Sequence, residues 1–318
     1  MKLYIQYKLK DCGKSKFLQR LIPELEKLGV QCSFESKKPD VALILTRFRD
    51  DIPKCPKVIR IDGIPILSHQ RDKWVVKKKI GAHVNKCQAI IYQSHFAQTM
   101  VNAIMKPKVK KQYVVWNGAS PEEFDVEPNK SDYEKNIIIC SKWYSGEHRP
   151  RKRLREMWEV AVHYVNSRSP NTCFWIIGEI GGLEKDWPTH DRIKFTGYLP
   201  NNELKHYLKM GDIMLHLSWF SWCDNALIEA IHAGCYPITN NVGGNPEFVK
   251  ACGGMALEID EPIKAERMKK YIPPKFNIDT VMNAIDDVFI TRPMTTTEPI
   301  HIKNIAKQYY DILKKVAR

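Results

Sequence analysis

The chain has 318 residues, 43% hydrophobic and 27% charged, with a formal net charge of +14. That length suits two domains, each able to bury its own core, and the composition excludes a disordered or low-complexity chain. No apolar run approaches the roughly 18 residues that a membrane-spanning helix needs.

In chain order, Leu3–Tyr7 reads as a strand, and the segment from Met1 is too short for a signal peptide and lacks a cleavage site. Asp11 to Ser15 then leads into an amphipathic helix over Ser15–Leu28, with Phe17, Leu18, Leu21, Leu25 and Leu28 on one face and Gly29 ending it. Gly13-Lys14-Ser15 invites a phosphate-loop reading, but that motif needs a glycine at position 8, where Lys stands. Around Gly13 either free backbone N–H groups meet a phosphate or sugar oxygen, or the turn is simply tight. Val41–Leu45, Val58–Ile61, Ala89–Tyr92 and Tyr113–Trp116 are short, continuous apolar runs that suit strands buried on both faces. Helices over His69–Asn85 and His95–Met105 alternate with them, which argues for a parallel sheet.

The stretch from Asn117 to Ser131 is polar and aperiodic, and reads as an interdomain linker. The pattern then restarts. Strands are expected at Asn136–Cys140, Cys173–Ile177, Ile193–Phe195, Ile213–His216 and Tyr236–Thr239. Helices are expected at Leu154–Asn166, Asn202–Met210, Ala226–Ala233 and near Asn245–Ala251. The fold class is therefore α/β with two doubly wound sheets in tandem, and the natural ligand site is a cleft at the carboxyl ends of the strands.

Charge is uneven. Residues 1–133 hold 25 Lys and Arg against 14 Asp and Glu, and clusters sit at Lys73–Lys79 and Lys106–Lys111. Such patches either attract phosphate-rich partners, nucleic acid or anionic lipid headgroups, or form a solvated face. The nine cysteines are scattered, odd in number and without a Cys-x-x-Cys pair, so a reduced, cytosolic chain without structural zinc is expected. No histidines pair at metal-ligand spacing and no Asp-x-Asp occurs. A metal-independent reaction follows as the expectation, with no cofactor.

Three stretches carry chemistry. Lys142 leaves the first strand of the second half, and Arg149, Arg151, Lys152, Arg153 and Arg155 crowd the next helix start. Cations at a helix N-terminus oppose its dipole, so either they call for an anion, such as a diphosphate lying between Lys142 and Lys152 or Arg153, or they are simply solvated. Ile176 to Gly182 holds three glycines after a strand, without the following helix of a dinucleotide fingerprint. Glu229 follows a helix start that Asp224 or Asn225 can cap, among apolar neighbours that make an unpaired charge costly. A carboxylate so placed can accept both hydroxyls of a ribose.

With these residues assembled, the chain resembles the family-4 retaining glycosyltransferases of the GT-B fold, most strongly over residues 136–250. Asn117-Gly118 is similar to the family's interdomain segment, Ser141-Lys142 with Lys152-Arg153 to its diphosphate clamp, and Phe195 to Leu199 to the loop that packs on the base. Asn225 to Pro237 and Gly243-Gly244-Asn245-Pro246-Glu247 match its donor-site core, and Ile61-Asp62-Gly63-Ile64 and Ile91 to Ser94 resemble first-domain strands of some bacterial and viral members.

The resemblance implies two Rossmann-like domains facing across a cleft: residues 1–130 for the acceptor, residues 134–297 for the donor, and a helix in 298–318 crossing back to the first. It implies a UDP- or GDP-linked sugar as co-substrate, contacted by Gly13, Lys142, Lys152, Arg153, Gly197, Tyr198, Leu199, Asp224, Asn225, Ala226, Leu227, Glu229, Gly243, Gly244 and Glu247. Lys142 and Lys152 would stabilise the leaving diphosphate. Asp62 would either orient sugar or acceptor or cap the following turn. One departure stands out: the family's Glu-x7-Glu pattern puts an acid where this chain has Ser221, with Asp224 near enough to substitute.

The expected activity is retaining, metal-independent transfer of a sugar to a hydroxyl of an acidic or membrane-proximal glycan, by an enzyme in the cytoplasm with peripheral membrane contact. Acceptors among modified bases of phage-type DNA are the alternative, as are a nucleotide-sugar epimerase and a non-catalytic nucleotide-sugar-binding protein.

Overall fold

The computed structural model describes residues 1–7, 13–35, 38–45, 52–68, 83–143, 149–181 and 187–317. The expected helix over His69–Asn85 lies almost wholly outside these residues, as do the Lys73–Lys79 cluster and Gly182.

The chain folds as two compact units. The first comprises Met1–Ser120, Lys264–Lys270 and Ile300–Arg318. Its strands are β1 (Lys2–Gln6), β2 (Gln31–Ser33), β3 (Val41–Leu45), β4 (Lys57–Ile61), β5 (Ala89–Tyr92) and β6 (Lys111–Val114). They form one parallel sheet in the order β2-β1-β3-β4-β5-β6. Central strands β3 and β5 are buried at every position, which is why their sequences are unbroken apolar runs. Helix α1 (Gly13–Lys27) ends before Gly29, whose φ of 80° is left-handed and costs glycine little. Helix α2 (His95–Met105) starts at Ser94, whose hydroxyl accepts from the Ala97 N–H at 3.0 Å.

The second unit comprises Pro121–Ile263 and Tyr271–Pro299. Strands β7 (Lys135–Cys140), β8 (Thr172–Ile177), β9 (Ile193–Gly197), β10 (Ile213–His216), β11 (Tyr236–Asn240) and β12 (Met255–Leu257) form a parallel sheet in the order β12-β11-β10-β7-β8-β9. Its helices are α3 (Arg149–Lys152), α4 (Leu154–Ser167), α5 (Asn201–Met210), α6 (Asn225–Ala233), α7 (Asn245–Ala251) and α8 (Ile278–Thr291).

The last helix, α9 (Ile302–Ala317), belongs to the first unit, where Ile305, Ala306, Tyr309 and Leu313 join a core that includes Phe17, Leu21 and Leu43. Gly118 is required where this return passes, since a β-carbon there would stand 2.9 Å from the Ile300 carbonyl oxygen. Among the described residues no helix is long and apolar enough to cross a membrane.

Besides the short α3, three elements were not anticipated. Strands β2 and β12 have three residues each at sheet edges, too short to carry a period. Helix α8 was signalled by Asn277, which caps it by accepting from the Asp279 N–H at 2.8 Å, and by Val281, Ile285 and Val288 on its buried face.

Candidate functional site

In the second sheet the strand order reverses about β7, whose neighbours are β8 on one side and β10 on the other. Ligands of open parallel sheets bind at the carboxyl ends of the strands beside such a switch point. Lys142 follows β7 there with an exposed side chain, and His216 ends β10. The loop from Leu217 to Asp224 then enters α6.

Asp224 stands at the N-cap position of α6 but makes no side-chain cap, contrary to expectation. Its Oδ2 instead accepts from the Lys152 ammonium at 3.1 Å and lies 2.8 Å from His216 Nε2. Lys152 is 4% exposed and His216 1% exposed. Burial alone would push the Asp224 carboxyl up. Lys152, His216 and the Ser221 hydroxyl outweigh it and hold the carboxyl well below the usual carboxylate range. Burial lowers the Lys152 pKa, with Asp224 opposing. His216 was missed because the histidines were weighed only as metal ligands. Its signal was a polar side chain ending an apolar strand.

The two halves of the motif are stitched together across the sequence. The Asp224 N–H donates to Asn245 Oδ1 at 2.9 Å, and the Gly244 N–H donates to the Ser221 carbonyl at 2.7 Å. Gly243 has a φ of 90°, and a β-carbon there would lie 2.9 Å from Ser221 N. Ser221 is therefore pinned from behind by the glycine pair. Glu229 is 4% exposed in the second turn of α6, Leu227 is wholly buried, and Asn225 and Ala226 are half-buried at its start. Glu247 lies half-buried in the first turn of α7.

Neighbouring strand ends complete the edge. Gly178 packs so tightly that a β-carbon would lie 2.4 Å from the Ser141 carbonyl oxygen, and its N–H donates to the Gly197 carbonyl at 2.8 Å. Its place among the three glycines of Ile176 to Gly182 is thus steric. The register of β8 on β9 shifts at Ile176 and Ile177, and Gly197 leaves β9 with a φ of 70°. Tyr198 follows it 65% exposed, and Leu199 is half-buried.

The basic cluster behaves differently from expectation. Arg153 adopts a left-handed φ of 53° between α3 and α4 and is 0% exposed. Its guanidinium donates to both carboxylate oxygens of Asp260, at 2.7 and 2.5 Å, and to the Pro274 carbonyl at 2.8 Å. A buried carboxylate thus anchors it structurally, a setting that its reading as a diphosphate ligand did not anticipate. Arg151 stacks on the Phe220 and Tyr271 rings at 5.0 and 5.6 Å, and exposed Arg155 pairs with Glu159 at 3.1 Å. The anions that these cations call for are supplied largely by the protein itself, through Asp224, Asp260 and Glu159.

In the first unit, Gly13 opens α1. Asp62 follows β4 with its Oδ1 2.5 Å from Arg60 Nε, and its side chain is 14% exposed. Among the described residues no group of three His, Cys, Asp or Glu side chains could hold a metal ion.

Residues 137–269 match the family described as glycosyl transferases group 1. The match spans 133 of the 318 residues, most of them in the second unit. Among curated proteins the chain is 22% identical, over 184 residues, to the phosphatidylinositol N-acetylglucosaminyltransferase gpi3 subunit of Schizosaccharomyces pombe. The match covers 55% of this chain and 39% of that protein, so the chain spans about two fifths of the relative's length. Its fold is the two-sheet GT-B architecture. It matches Anabaena Alr3699/HepE, solved in complex with UDP, at a TM-score of 0.66 and 13% identity over 99% of both chains. A Rickettsia africae glycosyltransferase matches at 0.62 and 13%, covering 100% and 98%. WaaG, a glycosyltransferase involved in lipopolysaccharide biosynthesis, matches at 0.61 and 11%, covering 100% and 97%.

Proposed function

We propose that this chain is a glycosyltransferase that takes a sugar from a nucleotide-sugar donor and passes it, with retention and without a metal ion, to a hydroxyl of an acidic or membrane-proximal glycan. The observation that carries the reading is Glu229, a carboxylate buried in the helix whose N-cap position is Asp224, the partner of Lys152. A ribose offers two adjacent hydroxyl donors to such an acceptor. Lys142 and Lys152 are the cations at hand for negative charge developing on the leaving diphosphate, which is electrostatic stabilisation of the transition state. Tyr198, exposed after Gly197, offers a flat face for the base. One structural neighbour, Anabaena Alr3699/HepE, is solved with UDP and with UDP-glucose, which favours a UDP-linked donor. The curated relative is named for transfer of N-acetylglucosamine to phosphatidylinositol, and WaaG for lipopolysaccharide biosynthesis, both of which favour a lipid-linked acceptor. The surplus of Lys and Arg in residues 1–133 suits an anionic one.

The test is binding of UDP, GDP and ADP, followed by thermal shift and then calorimetry, on wild type and Glu229→Ala. One nucleotide is expected to raise the melting temperature, and its affinity is expected to fall at least about tenfold in the variant, since hydrogen bonds to a charged group contribute roughly 1.5–3 kcal/mol each. Equal affinity in the two proteins removes Glu229 from the site. Donor turnover is further expected to persist in EDTA; its abolition, with rescue by Mg²⁺, overturns the metal-free mechanism.

A further inference from the structure

Arg60 is 2% exposed, and a guanidinium buried so deeply is costly unless its fork is filled. It lies in β4, two residues before Asp62, and its partners converge from across the carboxyl edge of the first sheet. Nε donates to Asp62 Oδ1 at 2.5 Å, and Nη2 donates to Asn117 Oδ1 at 2.5 Å and Gln93 Oε1 at 3.4 Å. Its face lies 3.8 Å from the centroid of the Phe17 ring on α1. Gln93 closes the arrangement by donating from Nε2 to the backbone carbonyl of Asp62. Asp62 is thereby held twice, at its carboxylate by Arg60 and at its backbone by Gln93. Gly63 then turns the chain away with a φ of 137°.

We propose that Arg60 is a positioning residue, whose task is to fix the Asp62 carboxylate at the strand end so that it receives a sugar or acceptor hydroxyl in one geometry. This rests on the glycosyltransfer reading above and on Asp62 touching substrate. The Gln93 bond satisfies the Asp62 carbonyl and also fixes the strand-end backbone. A carboxylate that must orient a hydroxyl gains from both clamps, because misplacement by about 1 Å can cost about 100-fold in rate.

The experiment is a double-mutant cycle of Arg60→Lys and Asp62→Asn, read as release of UDP from UDP-glucose and from UDP-N-acetylglucosamine well below every variant's melting temperature. Lysine keeps the charge but cannot fork to Gln93 and Asn117. Each single variant is expected to lose about 10- to 100-fold in kcat with UDP affinity unchanged, and the double variant to be no slower than Asp62→Asn alone. Gln93→Met, which frees the Asp62 carbonyl and leaves the Arg60 charge in place, is expected to lower kcat in the same direction by a smaller factor.

Additive losses in the cycle, or an Arg60→Lys enzyme with wild-type kcat, overturn the proposal while UDP binding through Glu229 leaves the donor reading standing. An Asp62→Asn enzyme with full turnover overturns it in the same way. Failure of the wild type to turn over either donor, together with failure to bind UDP, overturns both.

Discussion

Arg153→Met is expected to lower the melting temperature of the second unit by roughly 10 °C. Both members of the Arg153–Asp260 pair have fully buried side chains, joined at 2.7 and 2.5 Å. Removing the guanidinium leaves the Asp260 carboxylate buried, with Asn240 Nδ2 donating to it at 2.8 Å and no cation in its place. Breaking one side of a buried pair costs about 3–5 kcal/mol, and each kcal/mol moves the midpoint by roughly 2–4 °C in a unit of this size. The variant also frees the Pro274 and Leu217 carbonyls that Arg153 binds. Replacing both partners, as Arg153→Met with Asp260→Leu, is expected to recover much of the loss, because no charge then remains buried. Calorimetry checks both. A shift under about 2 °C in the single variant contradicts the account of Arg153 as an anchor.

The second large effect falls on rate. Lys152→Ala is expected to lower kcat about 10²- to 10³-fold, the scale for removing one preorganised donor to developing negative charge. The contrast with its neighbour is the informative part. Lys152 and Arg153 are adjacent in sequence and both buried, yet one pairs with Asp224 at the switch point and the other with Asp260. At a temperature where both variants are folded, Arg153→Met is expected to keep kcat within about threefold of wild type, since its guanidinium touches no reacting atom. Initial rates of UDP release from UDP-glucose measure the pair. Equal losses in the two variants contradict the division of roles.

That division also marks where the sequence stops being legible. The strands were readable because their apolar runs are continuous, as sheets covered on both faces demand, and Val41–Leu45, Ala89–Tyr92 and Ile213–His216 lie where the pattern put them. The Gly243-Gly244 turn was readable because its residue types are dictated by backbone proximity to Ser221. The charged residues were another matter. Nothing local to Arg-Pro-Arg-Lys-Arg says which cation meets a carboxylate 107 positions away and which meets one 72 positions away. The same holds for His216 and for Arg60, two of whose partners come from just beyond β5 and from beyond β6. Periodicity reports which face is dry, whereas pairing among buried charges is decided by the fold's long-range contacts.

The composition of the first unit bears on the order in which the chain assembles. Its core is finished by Ile302, Ile305, Tyr309 and Leu313 of α9, with Tyr309 5.8 Å from Phe17 in α1. Every residue of the second unit, by contrast, lies between positions 121 and 299. A chain emerging from the ribosome can therefore close its second sheet while the first still exposes the apolar face of α1. Loop closure over nearly 300 residues must precede the last contacts of the first unit. The half that is made first is completed last, and until then Phe17, Leu21 and Leu25 lack the cover that α9 gives them.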